Sequence, residues 1–417
     1  MFTPSKARKA IIALLLTATI QAVPEDQPQL QFSDIPANHE WGLSEFDRPA
    51  PSRVWGNQNE IVPIPDQDSG PMKINKRETQ STSAWGITRI SLHSKPIDDS
   101  YGLASKTEFY ADTASAGAGV DVYVLDYGVF VEHDEFEGRA RFGASFSKDG
   151  PNATLPHATH VAGIIASKSY GVCKKCNIIS VKVADDDWSA GASEAISGIQ
   201  WVMSAVSNKT IAAGKPVDAT VKAVINLSLE YPPSPALNDA VRAATALGIV
   251  FAVAVGNQNV DACTRAPVNE PIVVRVGASS MNDSLADFTN YGSCVDIIAP
   301  GVDVLSLENT PGGKYITSGT SMAAPHVAGV LALALSDQPF ASVDAITKYV
   351  LDSATHDVLV GDMKGSKNLL LYNMIGSEAV SHNPTKRDKT SSAIRNLLPF
   401  EMLLAASQFL FNYCLIA

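Results

Sequence analysis

The sequence predicts an α/β protein of three layers, a mostly parallel central sheet with helices on both faces, and three observations carry that prediction. Short Val/Ile-dense runs recur at residues 120–125, 178–183, 221–227, 249–255 and 272–276. They lack the polar alternation of a sheet with one wet face, so their sheet is buried on both sides. Helix-length segments, such as residues 189–213 and 236–247, separate several of the runs, and parallel neighbours require crossovers of that length. Composition agrees, because 45% hydrophobic and 18% charged residues over 417 positions supply a sizeable core and exclude a disordered solvating chain. The excess of 43 Asp+Glu over 32 Lys+Arg, net −11, weighs against nucleic acid as a partner.

Taken in order, the chain opens on an export signal at residues 1–22. Lys6, Arg8 and Lys9 precede an uncharged apolar run from Ala10 to near Ala22. That run is about half the length a membrane helix needs, so a secreted, extracellular protein with no stable membrane span is expected. Residues 23–82 are rich in proline and polar residues and read as a pro-segment or linker, with a candidate cut after Lys76-Arg77; a surface loop with two basic neighbours is the alternative. The body spans residues 83–376. In the tail, 377–417, the stretch from Leu397 holds Glu401 as its sole charge. This end reads as an amphipathic or core-packing helix broken near Pro399, or as a glycolipid-anchor signal with Ser391-Ser392-Ala393 as its small-residue site.

Five cysteines are present, and if Cys414 in the tail stands apart, Cys173, Cys176, Cys263 and Cys294 allow three pairings. Cys173 and Cys176 form a CxxC without a second such pair, which favours structural or free thiols over zinc or a redox couple. Sequons begin at Asn152, Asn208, Asn226 and Asn282, in keeping with a secretory route.

Four residues can do acyl-transfer chemistry. Ser321, in Ser318-Gly319-Thr320-Ser321-Met322-Ala323-Ala324-Pro325-His326, opens an Ala-rich helical run, where its hydroxyl and nearby unpaired N–H groups supply a nucleophile and half an oxyanion hole. His157 follows Pro156, a residue suited to the first helical turn, and an imidazole there can take and return the serine proton. His160, one turn on, reads as a packed histidine, since no third ligand accompanies the pair. Asp126 closes the 120–125 strand and can fix the imidazole tautomer. Asn257 follows the 249–255 strand and can donate its amide N–H to a developing oxyanion.

The order Asp126, His157, Asn257, Ser321 resembles that of the subtilisin-like serine peptidases, closest to the fungal proteinase K group, over roughly residues 83–373. The resemblance implies a triad of Asp126, His157 and Ser321, with Asn257 in the oxyanion hole, in a monomeric endopeptidase that cleaves extended polypeptides, broadly after apolar residues. It further implies that Ser228, Leu229 and Glu230 border the substrate, Glu230 standing where relatives have glycine and narrowing or acidifying the pocket. No cofactor is implied for the chemistry. A structural calcium held by the carbonyls of Pro271 and Val273 and by Asp296 is implied by the same likeness. Tyr127, Pro156 and Ala158 depart from the family pattern beside the triad, so the alternative is an impaired homologue that binds peptides or acts as a decoy.

Overall fold

The computed structural model describes residues 78–82, 84–95, 107–111, 116–212 and 221–374. The predicted export signal, the Lys76-Arg77 pair and the whole 377–417 tail lie outside the described residues. In chain order the elements are β1 (Glu78–Thr82), α1 (Trp85–Arg89), β2 (Thr107–Ala111), β3 (Asp121–Asp126), β4 (Ala140–Ser145), α2 (His157–Ala166), β5 (Asn177–Lys182), α3 (Ala192–Ala212), β6 (Ala223–Leu227), α4 (Pro235–Ala246), β7 (Val250–Ala254), β8 (Val274–Ser279), β9 (Ile297–Pro300), β10 (Val304–Leu307), β11 (Lys314–Thr317), α5 (Thr320–Asp337), α6 (Val343–Ser353), β12 (Thr355–His356) and β13 (Leu369–Leu370). All five predicted strands are present, and the expected parallel α/β sheet is observed.

The main sheet has nine strands in the order β12-β13-β9-β8-β7-β6-β3-β5-β4. Every pairing from β13 to β4 is parallel, and only the short β12–β13 pair runs the other way. β3 lies between β5 and β6 in register, with Leu125 opposite both Val181 and Leu227. The chain therefore moves across β3 between β5 and β6, a topological switch of the kind that opens a crevice at strand carboxyl ends.

Burial explains the apolar runs. Every side chain of β3, β6, β7 and β8 is buried, whereas β4 at the edge leaves Arg141 and Phe142 exposed. On one face Tyr123 meets Trp201 of α3 edge-on at 6.3 Å, and a Cβ on Gly198 would stand 2.6 Å from a Val183 methyl, so α3 lies directly on the strands. On the other, α5 runs through the interior with residues 320–335 all buried, which is why its sequence is apolar all round. The helix α4 starts cleanly because Ser234 Oγ accepts from Leu237 N at 3.3 Å and Pro235 follows it.

Disulfides join Cys173 to Cys176 and Cys263 to Cys294, choosing one of the three pairings. The CxxC sulfurs bond each other, which removes them as zinc ligands. Cys414 lies outside the described residues.

Candidate active site

The sheet delivers three of the predicted side chains to one edge. Asp126 is the last residue of β3, Ser228 follows β6 directly, and Asn257 lies three residues past β7. These strands are neighbours, in the order β7-β6-β3. His157 and Ser321 are the first and second residues of α2 and α5, two helices that pack on each other.

His157 Nδ1 stands 2.8 Å from Asp126 Oδ1, with the imidazole 3% exposed and the carboxylate fully buried. A carboxylate accepts, so Nδ1 carries the proton and Nε2 is left as the acceptor. The same Oδ1 accepts from Tyr127 N at 2.8 Å, which fixes the acid at the strand end. The first turn of α2 is closed by His160 N donating to Pro156 O at 3.0 Å, and Pro156 itself has helical angles.

Ser321 is held by a reciprocal pair of contacts with Ser228. Its Oγ donates to Ser228 O at 3.1 Å, and Ser228 Oγ donates to Ser321 O at 3.0 Å. That Ser321 carbonyl is free to accept because Pro325, four residues on inside α5, has no N–H to offer it. Ser228, expected at the substrate, thus pins the nucleophile turn to the end of β6. In this resting arrangement the serine hydroxyl points to Ser228, and among the described residues no hydrogen bond joins it to His157; such bonds commonly form only when substrate arrives.

Thr320 orients Asn257, a role the sequence reading missed although Thr320 adjoins the serine. Thr320 N and Oγ1 both donate to Asn257 Oδ1, at 2.8 and 2.9 Å, while Thr320 Oγ1 accepts from Gly256 N at 3.1 Å. The amide oxygen is thereby occupied, and Nδ2 is left to donate. A Cβ on Gly319 would lie 3.5 Å from Asn257 Nδ2 and 3.6 Å from Ser321 N, so both donors border the same small space.

The three departures are accommodated. Tyr127 stands edge-on to the His157 ring, centroids 5.5 Å apart at 84°, and its hydroxyl donates to Trp188 O at 3.1 Å. Burial, reinforced by the Asp126 carboxylate, pushes the Tyr127 phenol up, so it stays neutral. Ala158 is completely buried, and neither it nor Pro156 breaks the His157–Asp126 contact. His160 is fully buried and faces the carbonyls of Val304 and Tyr315 at 3.0 and 3.2 Å; burial lowers its pKa to about 3, so it is a neutral packing residue.

The predicted substrate edge begins where β6 ends. Among the described residues the backbone N–H and C=O of Leu229 and Glu230 have no hydrogen-bond partner, while the Leu229 side chain is buried in the core. Glu230 turns toward Gly256, where φ is +100° and a Cβ would fall 1.9 Å from Glu230 Oε2; only glycine fits. Gln258 Nε2 donates to Glu230 Oε1. Burial raises the Glu230 pKa against the opposing effects of Arg265 and Gln258.

The implied calcium does not fit. Both Asp296 oxygens are taken by Arg275, Nε to Oδ2 and Nη2 to Oδ1, each at 2.7 Å, and Arg275 N adds a contact to Oδ2 at 3.2 Å. Lys367 Nζ reaches Oδ1 at 3.2 Å. Burial pushes the Asp296 pKa up, but Arg275 and Lys367 outweigh it and hold the carboxyl below its ordinary range. Two cations already neutralise the proposed ligand, leaving Pro271 and Val273 carbonyls without an anionic partner for the ion. Among the described residues no group of three or more His, Cys, Asp or Glu gathers for a metal.

Comparison with known proteins gives the family and the fold. The Subtilase family profile matches residues 117–387. A sexual differentiation process putative subtilase-type proteinase, isp6, of Schizosaccharomyces pombe is 41% identical over 72% of this chain and 62% of its own length. Cerevisin of Saccharomyces cerevisiae is 35% identical over 85% of this chain and 57% of its own. Subtilisin-like protease 2 of Pseudogymnoascus destructans is 36% identical over 81% of this chain and 80% of its own. A crystal structure of a cold adapted subtilisin-like serine proteinase superposes with a TM-score of 0.61 at 36% identity, over 70% of this chain and 99% of that one. The fold and the strand-end site define a subtilisin-like α/β protein. The chain belongs to the subtilase family, the subtilisin-like serine peptidases, and it spans about three fifths of the length of isp6 and cerevisin.

Proposed function

We propose that the chain is a serine endopeptidase that hydrolyses peptide bonds of extended polypeptides, with Asp126, His157 and Ser321 as its triad and Asn257 as an oxyanion donor. The 2.8 Å contact between His157 Nδ1 and the buried Asp126 carboxylate carries the reading, because it leaves Nε2 as the base facing the chemistry. A substrate lying along the open backbone of Leu229 and Glu230 draws the Ser321 hydroxyl off the Ser228 carbonyl. Ser321 Oγ attacks the scissile carbonyl carbon while its proton passes to His157 Nε2. The resulting oxyanion sits between Asn257 Nδ2 and Ser321 N, and His157 then protonates the departing amine as the C–N bond breaks. Water, deprotonated by His157, attacks the acyl-serine, and the proton returns to Ser321 as acid and enzyme separate. Residues 1–22 direct export, 23–82 act as pro-segment or linker, and the peptidase works outside the cell. Incubation of the purified chain with a denatured protein tests the reading. Internal cleavage that disappears in Ser321→Ala and His157→Ala is expected, and undiminished cleavage in either variant overturns it.

A further inference from the structure

Thr320 fixes the amide end of Asn257, and a residue far along the chain fixes the backbone on either side of it. Asn290 lies between β8 and β9, is 1% exposed, and directs its whole side-chain amide at the segment that carries Asn257. Its Oδ1 accepts from Gln258 N and from Val260 N, each at 3.1 Å. Its Nδ2 donates to Val255 O at 2.7 Å and to Gln258 Oε1 at 3.0 Å. Asn290 N adds a bond to Gly256 O at 2.9 Å. Gln258 Oε1 also accepts from Asn257 N at 3.1 Å, so the Gln258 amide joins Asn290 to the main chain of the oxyanion donor itself. The base is anchored in turn: Thr289 Oγ1 accepts from Ala278 N of β8 at 3.1 Å, and Cys294 is bonded to Cys263 beyond the Asn257 segment.

A donor stabilises a developing oxyanion most when it is already in place, because a group that must reorient during the reaction contributes less. Thr320 holds the amide oxygen of Asn257 and so fixes one point, about which the segment is still able to turn. Bonds from Asn290 to Val255 and Gly256 on one side of Asn257, and to Gln258 and Val260 on the other, remove that freedom. The side-chain chemistry is specific, since two acceptor bonds and two donor bonds from one short side chain are what an asparagine amide supplies. An aspartate would keep the two acceptor bonds but set a carboxylate oxygen against Val255 O and Gln258 Oε1. We propose that Asn290, with Gln258 as its relay, is a positioning residue that holds Asn257 ready for oxyanion stabilisation. It acts through Asn257 and rests on the endopeptidase reading above.

The test is a pair of double-mutant cycles on the full chain, with kcat and KM measured on one extended synthetic peptide and the thermal midpoint recorded for each protein. Asn290→Ala and Gln258→Met are each made alone and together with Asn257→Ala. Each alone should lower kcat by at least about tenfold and leave KM within about twofold, since a misplacement of about 1 Å can cost ~100-fold in rate. Combined with Asn257→Ala, neither should lower kcat by more than about a further twofold, because the group they position is already gone. A purely structural role would lower kcat by the same factor in both backgrounds, and that result overturns the inference. So does a kcat that either folded single variant leaves unchanged, or an effect confined to KM. Gln258 is exposed, so the Gln258→Met cycle decides the case by itself if Asn290→Ala does not fold. A wild type that neither cleaves the peptide nor reacts with a fluorophosphonate at Ser321 defeats the endopeptidase reading and this inference with it. A wild type that does both, with uncoupled variants, defeats this inference alone.

Discussion

Asn257 is a usable donor because Thr320 fixes its other end. With Oδ1 accepting from both Thr320 N and Thr320 Oγ1, the amide cannot flip without stranding two donors. Asn257→Ala should therefore lower kcat by about 10²–10³-fold with little change in KM, the range known for the equivalent donor in subtilisin. Equal loss in KM alone would assign Asn257 to ground-state binding instead. Tyr127 is proposed to work through His157: its ring stands edge-on to the imidazole and its hydroxyl donates to the Trp188 carbonyl. Replacing it by the compact Thr of the family pattern removes both contacts and should reduce kcat, measured with one peptide substrate. A rise in kcat would show that the ring hinders the triad. In the proposed mechanism both roles require the Ser321 hydroxyl to leave the Ser228 carbonyl for the imidazole.

Between elements, β8 and β9 are joined by more than their ladder. Arg275 begins its contact with Asp296 from the second residue of β8, and Asp296 immediately precedes β9, so the ion pair locks the entry of one strand to its neighbour. Chelation of divalent cations should leave the thermal midpoint unchanged, because the cation at this carboxylate is covalently part of the chain. Arg275→Met should lower stability, by less than the about 3–5 kcal/mol of a wholly stranded buried charge because Lys367 Nζ still faces Asp296 Oδ1 at 3.2 Å. A midpoint that falls with chelator, or an Arg275→Met protein as stable as the parent, contradicts this account. The folded-state pKa of Asp296 lies below its ordinary 3.8, so its contribution is complete above that value and is lost as pH falls through the folded value. Asp296→Asn should lack that acid-side component of the unfolding curve, measured between about pH 5 and pH 2.

Across the whole molecule, the sheet and most of the site were legible in local sequence, for one physical reason. A parallel sheet covered on both faces demands unbroken apolar runs, and its chemistry gathers where those runs stop, so Asp126 and Asn257 could be read as strand-end residues. What escaped was set by contacts between distant segments. Nothing near Arg265 signals that it meets Glu230, and Arg275 sits inside an apolar run whose partner lies 21 residues further on. The calcium expectation does not fit for that reason: a cation from the neighbouring strand already holds Asp296. Position alone marks Ser228 as a residue bordering the substrate; its added contact with the serine turn depends on Pro325, far along the chain, which leaves the Ser321 carbonyl open to it. The sequons separate in the same way. Asn226 is fully buried in β6 and its Nδ2 donates to Ser228 Oγ at 3.0 Å, while Asn152, Asn208 and Asn282 are exposed. Glycopeptide mapping of the chain from a secretory host should find Asn226 bare, and a glycan there in folded protein would contradict the strand assignment.

The central claim is that Asp126 and His157 make the Ser321 hydroxyl a nucleophile. Fluorophosphonate reaction followed by peptide mass mapping measures that activation directly. One adduct on the peptide bearing Ser321, absent from His157→Ala protein, is the predicted result. No adduct, or an adduct that forms equally fast without the imidazole, would contradict it.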